Sequence, residues 1–252
     1  MQSDPVSSRV NAFLKHVGAL SLGTAGLGGV YQQVEDPARL AADTISASVM
    51  RGMTLIDTAP WYLNSEEMVG IGLKQTGIPR EQVLLASKVG RYRSEINPSG
   101  DFDYSSERIV VSVASSCAKL HTNHIDVVYL HDIEFVGAVE VDAALVALEE
   151  LQQTGVVGLI GICGYPLPVL DATVARNKGR IQVVQSYSHL TLQNNALLPY
   201  AERWSEMGII VINAAPLSMG LLSNRGSPAW HPASSQLREA CIAAARIPTL
   251  SL

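Results

Sequence analysis

At 252 residues, 47% of them hydrophobic and 16% charged, the chain has apolar matter for one large core and too much of it for disorder. Its net charge of -5, with no block of Lys or Arg, excludes the basic footprint that nucleic acid or an anionic membrane requires and points to a small-molecule partner. Cys117, Cys163 and Cys241 are odd in number and far apart, the amino terminus is polar, and no apolar run is longer than that near 209–215, so neither disulfides nor a metal site nor a membrane span is expected, and a monomeric cytoplasmic protein is.

Residues 1–14 read as a variable arm or a leading hairpin. Residues 19–22 read as a short strand closing on a glycine-rich loop at 23–29, and 38–51 as an amphipathic helix with Ala42, Ile45 and Val49 on one face. Strands and helices then alternate: a strand at 53–56, a helix at 65–74 with Ser65 as its cap, a strand at 83–87, a long loop at 89–104, a helix at 105–121, a strand at 125–130 and a helix at 141–153 ended by Gly155. Strands at 157–162, 181–185 and 209–214 alternate with helices at 166–177, 195–207 and 234–245. Continuous apolar strands separated by helices mean parallel β/α units with both sheet faces covered. Three of the strands run into an ionisable residue, Asp57, Lys88 or His131. A barrel collects its site from many strand ends in this way, whereas an open sheet concentrates it at one switch point. The expectation is an α/β fold, a parallel (β/α)8 TIM-type barrel, in one domain over 1–252. Seven units are visible before Leu252, so the barrel is expected to be truncated before its eighth, with exposed edges on the first and seventh strands.

Asp57, Tyr62, Lys88 and His131 form a proton-transfer set if they share one mouth. A phenol is neutral at pH 7, and a neighbouring ammonium favours its ionised form. Lys88 is therefore expected to lower the Tyr62 pKa, with Asp57 holding Lys88 and His131 orienting a carbonyl or carbinol oxygen. Such a set suits moving a proton on oxygen while a nicotinamide takes the hydride. Trp61, Tyr92 and Trp230 lie on loops that would ring the mouth, where aromatic faces pack on a sugar or on the loops themselves. His189 follows the sixth strand and is a candidate for the same lining. The loop at 23–29 lacks the G-x-G-x-x-G offsets and reads as a tight turn below the site. His121 and His124 read as a solvated helix end rather than a metal pair.

With these residues in view, the sequence resembles the aldo-keto reductase family. The matching stretches are Gly-Thr-Ala-Gly-Leu-Gly-Gly at 23–29, Asp-Thr-Ala-Pro-x-Tyr at 57–62, Ser-Lys-Val-Gly at 87–90, Ile-Asp-Val-Val-Tyr-Leu-His-Asp at 125–132 and Ala-Pro-Leu-x-Met-Gly-Leu-Leu at 215–222. Within the family it is most similar to the L-galactose dehydrogenase and D-arabinose 1-dehydrogenase branch, through Lys-Val-Gly-Arg-Tyr at 88–92, Phe-Asp-Tyr-Ser-Ser-Glu-Arg at 102–108, His-Asp-Ile-Glu-Phe at 131–135 and Trp-His-Pro-Ala-Ser at 230–234. The resemblance implies NAD- or NADP-dependent oxidation of an aldose at C1 to the lactone. It makes Tyr62 the acid/base, Lys88 and Asp57 its tuners and His131 the oxygen-orienting group. It puts Gln185 at the nicotinamide amide, Ala215, Leu217 and Met219 along the pyrophosphate, and Gly23 on the cofactor side. Cys163-Gly164 stands where many members carry Ser-Asn, and Asn213-Ala214 where many carry a stacking aromatic. Two alternatives stay open. One is a Schiff-base aldolase using Lys88, which Asp57 disfavours by keeping the amine protonated. The other is a truncated reductase-like protein with weak or no activity that acts only as a binding or bystander protein.

Overall fold

The structure, a computed structural model, describes residues 5–31, 35–93, 97 and 100–246. In chain order its helices and strands are α1 (Pro5–His16), β1 (Leu22–Gly23), α2 (Pro37–Val49), β2 (Leu55–Asp57), α3 (Ser65–Thr76), β3 (Leu84–Val89), β4 (Arg91–Tyr92), β5 (Asp101–Phe102), α4 (Ser106–Lys119), β6 (Ile125–His131), α5 (Ala138–Gln153), β7 (Val157–Gly164), α6 (Leu167–Arg176), β8 (Val183–Tyr187), α7 (Leu198–Glu206), β9 (Ile210–Ala214) and α8 (Ser235–Ala245). The backbone groups into two compact units, Met1–Val184 and Gln185–Leu252.

In the first unit the strands run parallel in the order β1-β2-β3-β6-β7. The register sets Gly23 beside Asp57, Asp57 beside Ala86, Lys88 beside Tyr129, and His131 beside Cys163. The backbone entering β8 continues beside β7, with Gln182 N donating to Ile160 O at 2.9 Å. Every residue of β3 is buried, as is every residue of β6 except Asp126, the pattern of strands covered on both faces. Helices α2 and α3 approach closely through Gly72, where a Cβ would meet Ile45 Cδ1 at 3.0 Å and the Ala41 backbone at 3.1 Å. That approach turns α2 so that Ala41, Ile45 and Ser48 are buried, rather than the Ala42, Ile45 and Val49 stripe expected.

Two segments differ from expectation. The leading arm is helix α1, because Val6, Val10, Phe13 and Val17 recur at helical spacing and Phe13 is buried. The long loop after β3 contains an antiparallel pair, β4 with β5, that sets Arg91 opposite Phe102 and Tyr92 opposite Asp101.

In the second unit the end of β8 is joined to β9 by Ser188 N donating to Ala214 O at 2.9 Å. Helix α7 buries Trp204 completely and starts later than expected, with Pro199 near its amino end. Strand β9 is buried only at Ile210 and half-buried beyond. Ser234 caps α8, accepting from Leu237 N at 3.2 Å. No helix of the described residues is long and apolar enough to cross a membrane.

Candidate active site

Asp57 sits at the carboxyl end of β2, and its main chain is fixed before its side chain does anything. Its carbonyl accepts from Thr24 N at 3.0 Å and Thr24 Oγ1 at 2.8 Å. Thr24, Thr58 and Ser65 are fully buried and share hydrogen bonds: Thr24 Oγ1 to Ser65 Oγ at 2.7 Å, and Thr58 Oγ1 donating to Ser65 Oγ at 2.9 Å. Ser65 is thus a tie between the glycine-rich loop and β2 instead of a helix cap. The loop lies against the backbone that carries Tyr62: a Cβ on Gly28 would fall 1.9 Å from Tyr62 O and 2.9 Å from Ser65 N. The glycines at 23–29 permit a close approach that seats Tyr62.

Lys88, at the end of β3 and 1% exposed, donates to Asp57 Oδ1 and, at 2.9 Å, to Thr58 O. Its Nζ lies 4.8 Å from the centre of the Tyr62 ring and 5.7 Å from that of Tyr129. Tyr62 meets the His131 ring edge-on at 6.0 Å, and Trp61 does so at 6.5 Å. Asp57, Tyr62, Lys88 and His131, expected to converge, are together in the first unit. Burial alone would lower the Lys88 pKa, but Asp57 and Tyr62 outweigh it and hold the ammonium above its ordinary value. Tyr62 departs from expectation. Lys88 does pull its pKa down, but burial is the larger influence and Asp57 adds to it, so the phenol lies above its ordinary value. His131 is pushed well below the usual imidazole value by burial, then by Lys88 and Arg91, and is neutral at pH 7. Its Nδ1 is buried with no hydrogen-bond partner among the described residues. A phenol beside a fixed ammonium, with a neutral imidazole edge-on to it, can move a proton on a bound oxygen atom.

Three neighbours were not singled out as site residues. Arg91, from β4, forms an ion pair with Asp132 Oδ2 and lies 4.3 Å from the centre of the Trp61 ring. Asp132 Oδ2 is 3.6 Å from His131 Nε2. Cys163, beside His131 in the sheet, is a thiol that burial keeps protonated. His131, Asp132 and Cys163 each bring one ligand-type atom within 4.8 Å of the others, and Arg91 pairs with the carboxylate. The signal for Arg91 and Asp132 lay in the two branch-like stretches at 88–92 and 131–135, which the fold joins. Gly164 has a local cause, since a Cβ there would lie 2.3 Å from Glu134 Oε2, where Glu134 Oε1 accepts from Tyr165 N at 2.9 Å. An Asn at 164 would displace that carboxylate.

Other expected residues fall elsewhere. Gly23 borders Asp57 through the β1–β2 register, with open space where a Cβ would be. Tyr92 is buried, its hydroxyl accepts from Gly90 N at 3.0 Å and Arg108 covers its ring at 4.2 Å, so it packs the hairpin. In the second unit, Gln185 is buried in β8, and His189 Nδ1 is 2.9 Å from Ser186 Oγ. Ala215, Ser218 and Met219 have positive φ values of 52°, 46° and 52°, and the Leu217 and Met219 side chains are exposed. Trp230 is exposed and stacks on His231, whose Nε2 lies 2.9 Å from Ser218 O.

A parallel β/α sheet with a carboxylate, an ammonium, a phenol and an imidazole gathered at its strand ends defines a β/α-barrel protein with the groups for acid–base work on oxygen. The profile of the Aldo/keto reductase family matches residues 19–247. L-galactose dehydrogenase of Arabidopsis thaliana is 36% identical over 233 residues, spanning 90% of this chain and 70% of that protein. D-arabinose 1-dehydrogenase of Saccharomyces cerevisiae is 36% identical over 252 residues, spanning 96% and 73%. Among solved structures, an aldo-keto reductase from Bacillus halodurans in its holo form superposes with a TM-score of 0.67 at 30% identity, covering 87% of this chain and 69% of that one. A glycerol dehydrogenase from Gluconobacter oxydans shares the fold, with a TM-score of 0.69 at 24% identity and coverage of 89% and 71%. The chain belongs to the aldo/keto reductase family, oxidoreductases that use NAD(P)H.

Proposed function

We propose that the protein oxidises an aldose of the L-galactose or D-arabinose type at C1, giving the lactone. The observation that carries this reading is the convergence of Asp57, Lys88, Tyr62 and His131 in one buried cluster, beside the sugar-dehydrogenase identity of the two relatives. The second unit offers groups that fit a nicotinamide dinucleotide. Gln185 is a buried primary amide, able to exchange hydrogen bonds with a carboxamide. The left-handed residues at 215, 218 and 219 form a constrained turn of the kind found where backbone meets a ligand. When bound, that cofactor supplies the two-electron acceptor for the hydride leaving C1.

The chain's own residues handle the proton. Ionised by loss of its own proton to solvent, Tyr62 accepts the proton of the anomeric hydroxyl, and neutral His131 holds the same oxygen through Nε2. Lys88, fixed by Asp57 and Thr58 O, stabilises the phenolate formed as Tyr62 is readied. Because burial favours the neutral phenol, oxidation is expected to quicken as pH rises, without levelling below about 10, the ordinary phenol value. The same ammonium that serves Tyr62 disfavours the Schiff-base alternative, which needs Lys88 unprotonated.

The test is formation of reduced nicotinamide and lactone from L-galactose and from D-arabinose, each with NAD and with NADP, across pH 6 to roughly 10.5. Turnover with either sugar that Tyr62→Phe abolishes supports the reading. Absence of turnover under all four combinations, with the protein folded and cofactor bound, refutes it.

A further inference from the structure

The stretches at 88–92 and 131–135 are far apart in sequence, yet the fold joins them at one ion pair, Arg91 with Asp132. The pair is held from all sides. Arg91 lies 4.3 Å from the Trp61 ring centre and 5.4 Å from that of Phe102, and Phe102 stacks on Phe135 at 5.1 Å. Asp132 is 7% exposed and adopts a left-handed backbone, φ 59°, which Asp tolerates better than most residues. This turns the chain just past β6, and Tyr104 Oη pins the turn by donating to His131 O at 2.6 Å. The carboxylate that results stands 3.6 Å from His131 Nε2, too far for a direct hydrogen bond and near enough for both groups to meet adjacent oxygens of one ligand.

We infer that Asp132, held by Arg91, is a specificity-determining residue that reads the hydroxyl on C2, next to the reacting carbon, with Trp61 as the flanking aromatic wall. This rests on the reading of the protein as an aldose dehydrogenase. An oxygen seated on His131 is O1 of the sugar, and in a sugar the C2 hydroxyl lies within hydrogen-bond spacing of O1. A carboxylate accepts from that hydroxyl, and the Arg91 guanidinium has further N–H groups for its lone pairs. Burial raises the Asp132 pKa and Arg91 opposes that rise, so a hydroxyl donated to the carboxylate replaces water without leaving a group open.

The probes are L-galactose, 2-deoxy-L-galactose and L-fucose, which lacks the C6 hydroxyl. Each is titrated calorimetrically into the protein saturated with nicotinamide dinucleotide, and turnover is followed separately. Loss of a hydroxyl bonded to a charged group is expected to weaken binding about tenfold or more for the 2-deoxy sugar, against less than about threefold for L-fucose. Asp132→Asn should bring L-galactose and its 2-deoxy form within about threefold of each other, and Arg91→Lys should retain only part of the wild-type difference. Equal binding of the two sugars by the wild type overturns the inference whether or not the variants fold. So does a 2-deoxy penalty that persists in folded Asp132→Asn. If none of these sugars binds, the inference falls, and the proposed function falls with it only if D-arabinose is not oxidised either. If they bind with the expected discrimination but no reduced nicotinamide forms, the proposed function alone falls.

Discussion

Strands β3 and β6 have charged groups at both ends, and the two ends are finished differently. At the amino-terminal end, Arg80 donates to Thr122 Oγ1 at 3.2 Å, Val83 O at 2.8 Å, His124 O at 2.9 Å and Asp126 Oδ2 at 2.6 Å. Asp126 also accepts from Leu85 N at 2.8 Å, and His124 Nδ1 lies 2.7 Å from Gly155 O. Helix α1 closes this end over a cavity of about 400 Å³ that Phe13, Arg80 and His124 help to line. At the carboxyl end Lys88 is equally well held, but His131 Nδ1 and Tyr129 Oη are buried without hydrogen-bond partners among the described residues. A buried polar atom left open costs about 1–3 kcal/mol, so a saturated cluster reads as structure and an open one as a place kept for a ligand. The histidines register the same contrast. The neighbouring Asp126 carboxylate raises the His124 pKa, while burial and two cations lower that of His131.

The comparison is tested most strongly by activity. Tyr62→Phe should cost turnover at least about a hundredfold with little change in melting temperature, while Arg80→Met should leave turnover within about threefold of wild type. Steady-state kinetics on the two variants measures both, and comparable losses would mean that the two ends are not functionally distinct. Stability should respond at either end. Lys88→Met removes the ammonium from a buried carboxylate and is expected to cost about 3–5 kcal/mol in urea unfolding, and Arg80→Met about 2 kcal/mol, since its side chain is one-third exposed.

Acid titration of stability is the next largest effect. The folded His131 pKa lies below the unfolded value of about 6.5, so its contribution is present above that pH and is lost as pH falls, by up to about 1.4 kcal/mol per pH unit until the folded value is reached. Unfolding curves of His131→Asn should flatten over this window, and an unchanged slope would assign the loss to other groups. His124 has the opposite sign. Its folded pKa is raised, so its contribution is present below about 6.5 and disappears as pH rises through the folded value. The side chain is 39% exposed and screened by solvent, so His124→Gln should change stability by under about 0.5 kcal/mol at pH 5.5 and by less at pH 8, which paired denaturation curves can resolve.

Much of this was legible in the amino-acid order. Apolar runs such as 127–130, separated by helical stretches, determined parallel β/α units, because a strand covered on both faces is mostly apolar between its ends. For the same reason Asp57, Lys88 and His131 stood out, each ionisable at the end of a strand that should have stayed apolar. Other features depended on distances between segments remote in sequence. Helix α1 shows only a short apolar stripe, and what it covers, the amino-terminal end of the strands, is visible only once they are assembled. Gly28 and Gly164 are small because of backbone at Tyr62 and a carboxylate at Glu134. Arg91 meets Asp132 across 41 positions. The direction of the Tyr62 pKa was also beyond sequence. An adjacent ammonium and removal from water pull it opposite ways, each depends on three-dimensional placement, and here burial is the stronger.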